Sequence, residues 1–424
     1  MSSPIRLDHL TGIRSLLALW IVCGHYLPHE KPTSFLAAST CRSFMAVDVF
    51  VVMSGFVTHW AYGDRLQKGE LRIRQFYVRR MAGIVLTTYI AMVLSLIVVI
   101  MVPEFRNSFM PSALTLLGCF SFLAHWVKPS AWCPAPPSWT IEVLIPSWLL
   151  YPFTRRLVDG VDSRAGTPGL VLLIAALHAL SFGPLLLLFL LQGFKLTWVQ
   201  YATDFFWPPS QLADFAIGVV AAALAQKSAI PDNCREEGHR EAEETGALHG
   251  YSWQGLLADL SFFGTAAVVI WMPPPANRAE CETNENALLT HGLALPIAAW
   301  LALSVHGGLV ARILSHQALV ALGKYSFEVY LFQWPLVALF HHVFQQWPLP
   351  LDVFMAFLLL LWLLSGVYVE FLAPPLVRHL RASLEGSSST GYKSMPQNPK
   401  DGLPGAVEDG DGLFARADAT GSVS

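Results

Sequence analysis

Charge is scarce in this chain. Only 13% of its 424 residues are Asp, Glu, Lys or Arg, whereas 54% are hydrophobic, and mean hydropathy is +0.47. A soluble domain usually carries about twice that charge, so the soluble globular class is excluded. The net charge of −3 argues against a nucleic-acid partner. The six cysteines form no CxxC pair and no metal-ligand spacing, so no metal is expected. Cys23 and Cys119 sit in apolar segments and read as small buried hydrophobes. An internal repeat is also lacking, which withholds support from an inverted-repeat transporter. No cleavable signal peptide is evident. The first apolar run starts by residue 10 and contains Arg14, which makes it a working span.

What the chain has instead is long apolar runs. Residues 84–102 and 170–191 carry no charge, and about 20 such residues cross a bilayer. The expectation is an all-α fold, a polytopic transmembrane helical bundle. Spans are expected near 10–28, 44–62, 83–102, 138–157, 170–192, 211–227, 255–272, 289–306, 325–345 and 351–373. The apolar stretch 112–127 is short and flanked by Pro111 and Pro129. Basic loops decide its status, because Lys and Arg favour the cytoplasmic side. Residues 63–82 carry Arg65, Lys68, Arg72, Arg74, Arg79 and Arg80. If 112–127 does not cross, then Arg155, Arg156 and Arg164 share that side with them. Ten spans with both termini cytoplasmic follow, and eleven is the alternative. The expected division is a transmembrane domain over 1–381 and a disordered cytoplasmic tail over 382–424, where hydrophobic periodicity is absent. The charged loop 228–250 reads as a solvated linker.

Arg14 and His25 stand eleven residues apart in the first span, LTGIRSLLALWIVCGHY. At about 100° per residue they share one face, roughly 16 Å apart along the axis. Ionisable groups at membrane depth are functional candidates, and a neutral His is the usual general base. Asp48 opens the second span and could orient that imidazole, or it could be an interfacial carboxylate facing water. Ser54-Gly55 reads first as close helix packing, and His59 as interfacial. RIRQFYVRRM, ending the basic loop, is either a positive-inside anchor or a phosphate clamp. In PAPPSWTIEV, Trp139 is a belt residue or a sugar-stacking ring. Glu142 near it meets an acceptor hydroxyl, pairs with an Arg, or sits at the helix N-terminus where the dipole favours it. Lys324 and Glu328, at i and i+4, are expected to neutralise each other. Gln333 is a mid-span amide suited to bonding another helix.

These segments, in this order, resemble acyltransferase family 3 of integral membrane proteins. The resemblance covers roughly residues 7–373. It rests on Arg14 and His25, on VDVFVVMSGF with Asp48, and on Arg79-Arg80 at the start of the third helix. It rests further on Trp139-Thr140-Ile141 with Tyr151-Pro152, and on Leu322 to Leu331. A further Arg of the family stands here as Gly83, its Glu as Leu144, and its His before Trp-Pro as Gln333. The resemblance implies transfer of an acyl group, acetyl first, from acyl-CoA to a hydroxyl of a carbohydrate or other acceptor. It makes His25, Asp48 and Arg14 catalytic, Arg79 and Arg80 donor-binding, and Trp139 and Glu142 acceptor-binding. No cofactor is expected, only acyl-CoA as co-substrate. The rival reading is a transporter using Arg14 and His25 as a proton-coupled pathway.

Overall fold

The computed structural model describes residues 7–27, 38–40, 42–192, 198–228, 252–272, 289–345 and 349–385. Among these every element is helical and no strand occurs. The principal helices, numbered in chain order, are α1 (Asp8–Tyr26), α2 (Met45–Gln67), α3 (Ile73–Met101), α4 (Pro103–Phe109), α5 (Ala113–Phe120) and α6 (Ala124–Val127). They continue with α7 (Trp139–Ser181), α8 (Trp198–Phe206), α9 (Leu212–Ser228), α10 (Trp253–Trp271) and α11 (Ala294–Ser304). The last three are α12 (Ser326–Phe344), α13 (Leu351–Val367) and α14 (Ala373–Glu385). Six described stretches are long and apolar enough to cross a membrane. One of them, Pro136–Leu191, holds two of the expected spans. The chain breaks between them at Gly166, whose φ of 59° and ψ of −152° are not helical. Helices α1 and α12 fall outside the six, because Arg14, His25, Glu328 and Gln333 dilute their apolar character.

The doubtful stretch 112–127 is not one helix. Ser112 caps α5 by accepting from the Thr115 amide. The chain then turns through Phe122, at φ 57°, into the single turn of α6. Eight residues rise only about 12 Å, well short of the hydrocarbon core. Pro111 and Pro129 bracket this broken segment, as their lack of an N–H requires.

The core is seamed by glycine. A side chain at Gly55 of α2 would lie 2.0 Å from the Phe215 carbonyl oxygen of α9. One at Gly218 of α9 would lie 1.9 Å from the Val52 carbonyl oxygen of α2. The two helices therefore touch backbone to backbone, as small residues permit within a bilayer. Gly12 and Gly323 let α1 meet the short helices Leu309–Leu314 and Gln317–Gly323 in the same way.

Two readings of the cysteines and of the tail need correction. Cys119 is no plain buried hydrophobe, because it is disulfide-bonded to Cys133. The expected boundary after residue 381 falls inside α14, which runs to Glu385. The rest of 382–424, and the loop expected at 228–250 beyond Ser228, lie outside the described residues.

Candidate active site

Helices α1, α2, α3, α7 and α12 surround a cavity of about 720 Å³, counting its open mouth. Arg14, Ser54, Arg80, Thr140, Trp148, Ser326 and Tyr330 supply its polar groups, and Val, Ile, Leu, Met and Phe side chains supply the rest. Arg80 is buried and donates through Nη2 to the Ser54 hydroxyl at 3.0 Å. Trp148 donates to the same hydroxyl through Nε1 at 3.2 Å. The Arg80 guanidinium also lies over the Trp148 ring, 5.0 Å from its centroid, where the ring's negative face attracts it. Arg14, only 3% exposed, interacts attractively with Glu328 and repulsively with Arg80. Two guanidinium groups thus face one largely apolar chamber, an arrangement suited to an anionic ligand.

Several expected pairings resolve differently. Arg79 and Arg80 separate, as neighbours about 100° apart on a helix must. Arg80 enters the cavity, while half-exposed Arg79 does not line it and its carbonyl accepts from Arg381 of α14. A side chain at Gly83 would begin 3.8 Å from Val377 of α14, an ordinary van der Waals contact. Glu328 turns to Arg14 instead of to Lys324. His59 is buried, not interfacial, and its Nδ1 lies 3.1 Å from the Tyr151 hydroxyl.

His25 is exposed at the far end of α1 from Arg14 and does not line the cavity. Its Nδ1 sits 3.0 Å from Oε1 of Gln333. Gln333 uses its Nε2 to donate to the Tyr330 carbonyl at 2.7 Å, which turns its oxygen toward the imidazole. His25 therefore carries its proton on Nδ1 and presents Nε2 as the basic nitrogen. The orienting group is this amide. Asp48 is directed elsewhere, fully buried beside Thr290, His291, Asp214 and Asp204. In that network the His291 ring lies between two carboxylates, Nδ1 at 2.8 Å from Asp214 and Nε2 at 3.5 Å from Asp204. Sequence reasoning missed the other four members, Asp204, Asp214, Thr290 and His291. They come from α8, from α9 and from the turn before α11, and only the fold shows that they converge.

Trp139 and Glu142 do not form one acceptor pocket either. Trp139 packs against Phe205 and Phe206, ring centroids 4.8 and 4.7 Å away. Glu142, 1% exposed, accepts from the His125 amide at 2.9 Å and faces that ring's Nδ1 at 3.1 Å. Its carboxylate pins α6 to α7. His125, Cys133 and Glu142 are close enough together to suggest a metal. Cys133 is committed to its disulfide, so the thiolate that a metal needs is not there.

A family described as an acyltransferase domain matches residues 7–369. A protein of Streptomyces mycarofaciens, "Acyltransferase MdmB", is 23% identical over 366 residues, 80% of this chain and 81% of that one. "Protein 2 in picA locus" of Rhizobium radiobacter is 37% identical over 81 residues, 19% of this chain and 39% of that one. No solved structure matches. With most of its length matched and its apolar helices in place, the chain belongs to this acyltransferase family and is a membrane enzyme that transfers acyl groups.

Proposed function

We propose that the donor is acyl-CoA, acetyl-CoA first, and that the acceptor is a hydroxyl of a carbohydrate or similar compound. The observation that carries this is the buried Arg80 beside Arg14 in an otherwise apolar cavity. Guanidinium groups hold phosphate through paired charge-assisted hydrogen bonds. The apolar walls suit the neutral arm that links the nucleotide to the thioester. The basic residues of 63–82 lie at the start of α3 and put this end of the bundle on the cytoplasmic side, where acyl-CoA is made. His25 lies toward the opposite face, at the other end of α1 from Arg14.

In the reaction His25 accepts the acceptor's hydroxyl proton at Nε2, with Gln333 holding the ring. The oxygen attacks the thioester carbonyl. The tetrahedral adduct then collapses, breaks the carbon–sulfur bond and expels the CoA thiolate, which takes the proton from the imidazolium. Atoms and charge balance without any redox partner. Purified protein with labelled acetyl-CoA tests the reading. We expect His25→Ala to insert normally and to lose roughly 10²–10⁴-fold in turnover, the usual contribution of a general base. Near-normal turnover in that variant would remove His25 from the mechanism.

A further inference from the structure

A second pocket lies between α4 and the outward half of α12, beyond the His25–Gln333 bond along that helix. It encloses about 790 Å³ with its mouth and is lined by Glu104, Phe105, Ser108, Phe109, Trp334 and His341, with Val337. Its walls are built, not incidental. Phe105 and Phe109 stack at 5.5 Å, and Trp132 stacks on Phe109 at 5.3 Å from behind. Trp334 meets Phe105, Phe109 and Trp132 edge-on at 6.1, 5.8 and 5.5 Å. The Trp334 Nε1 is buried and has no hydrogen-bond acceptor among the described residues, an expensive arrangement unless a ligand supplies one. Glu104 stands at the rim, 3.3 Å from Nδ1 of His342. Among the described residues no Lys or Arg lines the pocket.

We infer that this pocket is the acceptor subsite and that it selects uncharged hydroxylated rings over anionic ones. This rests on the acyl-transfer reading above. The polarised C–H face of a saturated ring is drawn to the negative faces of aromatic rings. The orphaned indole N–H supplies a donor for a ring or hydroxyl oxygen, and Ser108 and Glu104 can take hydroxyl hydrogens. A few placed polar groups in an aromatic wall are what a small-molecule site needs. The same Glu104 repels carboxylate or phosphate, which separates this pocket from the cation-lined donor cavity. The position fits as well. Val337, in the pocket wall, stands one turn beyond Gln333 on the same face of α12, so the pocket opens one turn outward of the His25–Gln333 bond.

The test is equilibrium binding to the full-length chain in detergent, read by tryptophan fluorescence. The probes are the methyl β-glycosides of glucose, galactose and mannose, and methyl β-D-glucopyranosiduronate as the anionic control. We expect saturable binding of at least one neutral glycoside and binding of the glucuronide at least tenfold weaker. Trp334→Phe keeps the packing and removes the donor, so it should weaken neutral binding roughly five- to tenfold. Glu104→Gln, an exposed position that does not threaten folding, should narrow the gap between neutral and anionic probes. Coenzyme A should not compete. Absence of binding by all three glycosides, equal binding of the glucuronide, insensitivity to both variants, or competition by coenzyme A would each overturn the assignment. Acetyl-CoA turnover in the same preparation keeps the two readings apart. Glycoside binding without turnover sinks the acyl-CoA reading alone, and turnover without glycoside binding sinks the subsite alone.

Discussion

Arg80 and Arg79 carry the same charge and make different contacts. Arg80 is buried against Ser54 and Trp148, while Arg79 lies half-exposed beside α14. A charge-assisted contact in a buried site is worth roughly 1.5–3 kcal/mol, which is about ten- to a hundredfold in affinity. Arg80→Gln should therefore raise the half-saturating concentration of acyl-CoA by that factor. Arg79→Gln should change it by less than about threefold, as expected for an exposed charge. Saturation curves on both variants check this, and equal effects would return the pair to a shared clamp. The residue types of the site were legible because ionisable groups in an apolar span stand out. Their partners were not, since i, i+4 spacing points Glu328 at Lys324 and only the packing of α12 on α1 turns it to Arg14.

Between α5 and α7 the chain makes a knot of three ties: the Cys119–Cys133 disulfide, the His125–Glu142 contact, and the cap at Ser112. The knot holds a segment too short to cross and too apolar to leave. A cross-link closing a loop of about 15 residues contributes about 3 kcal/mol, mainly by restricting the unfolded chain. Cys133→Ser should lower the thermal unfolding midpoint by several degrees, and reductant should bring the parent protein to the same midpoint. An unchanged midpoint would show that the His125–Glu142 contact and the Ser112 cap hold the segment without the disulfide. The breakage of 112–127 was visible in its flanking prolines. The disulfide was not, because two cysteines 14 apart say nothing of pairing until the turn at Phe122 brings them together.

For the whole molecule, sidedness is the property that both sites depend on. Arg155 and Arg156 lie on the same helix as Trp148, and Arg74 and Arg79 contact α14. These basic residues favour one membrane face, and a disulfide at 119–133 favours the opposite, oxidising one. Gly160→Cys has open space around it and should react with a membrane-impermeant thiol reagent only from the cytoplasmic side, in a background without other free thiols. Ser108→Cys should react only from the other side. Labelling of both from one side would contradict a donor cavity and an acceptor pocket that open oppositely.

Length and hydropathy by themselves determined that this is a helical membrane protein, because about 20 apolar residues have few other stable fates. Spacing by itself determined that Arg14 and His25 share a face, since helical geometry leaves no choice once the span is granted. Tertiary structure decided everything that depends on which helices are neighbours. It gave His25 an amide partner in Gln333, and placed Asp48 in a buried network with Asp204, Asp214 and His291. It put Arg80 in the cavity and left Arg79 outside it. The reason is physical: a span's apolar surface is satisfied equally by lipid or by protein, so composition is silent on neighbours. Backbone contacts at Gly55 and Gly218, and the few buried polar groups that need partners, choose them.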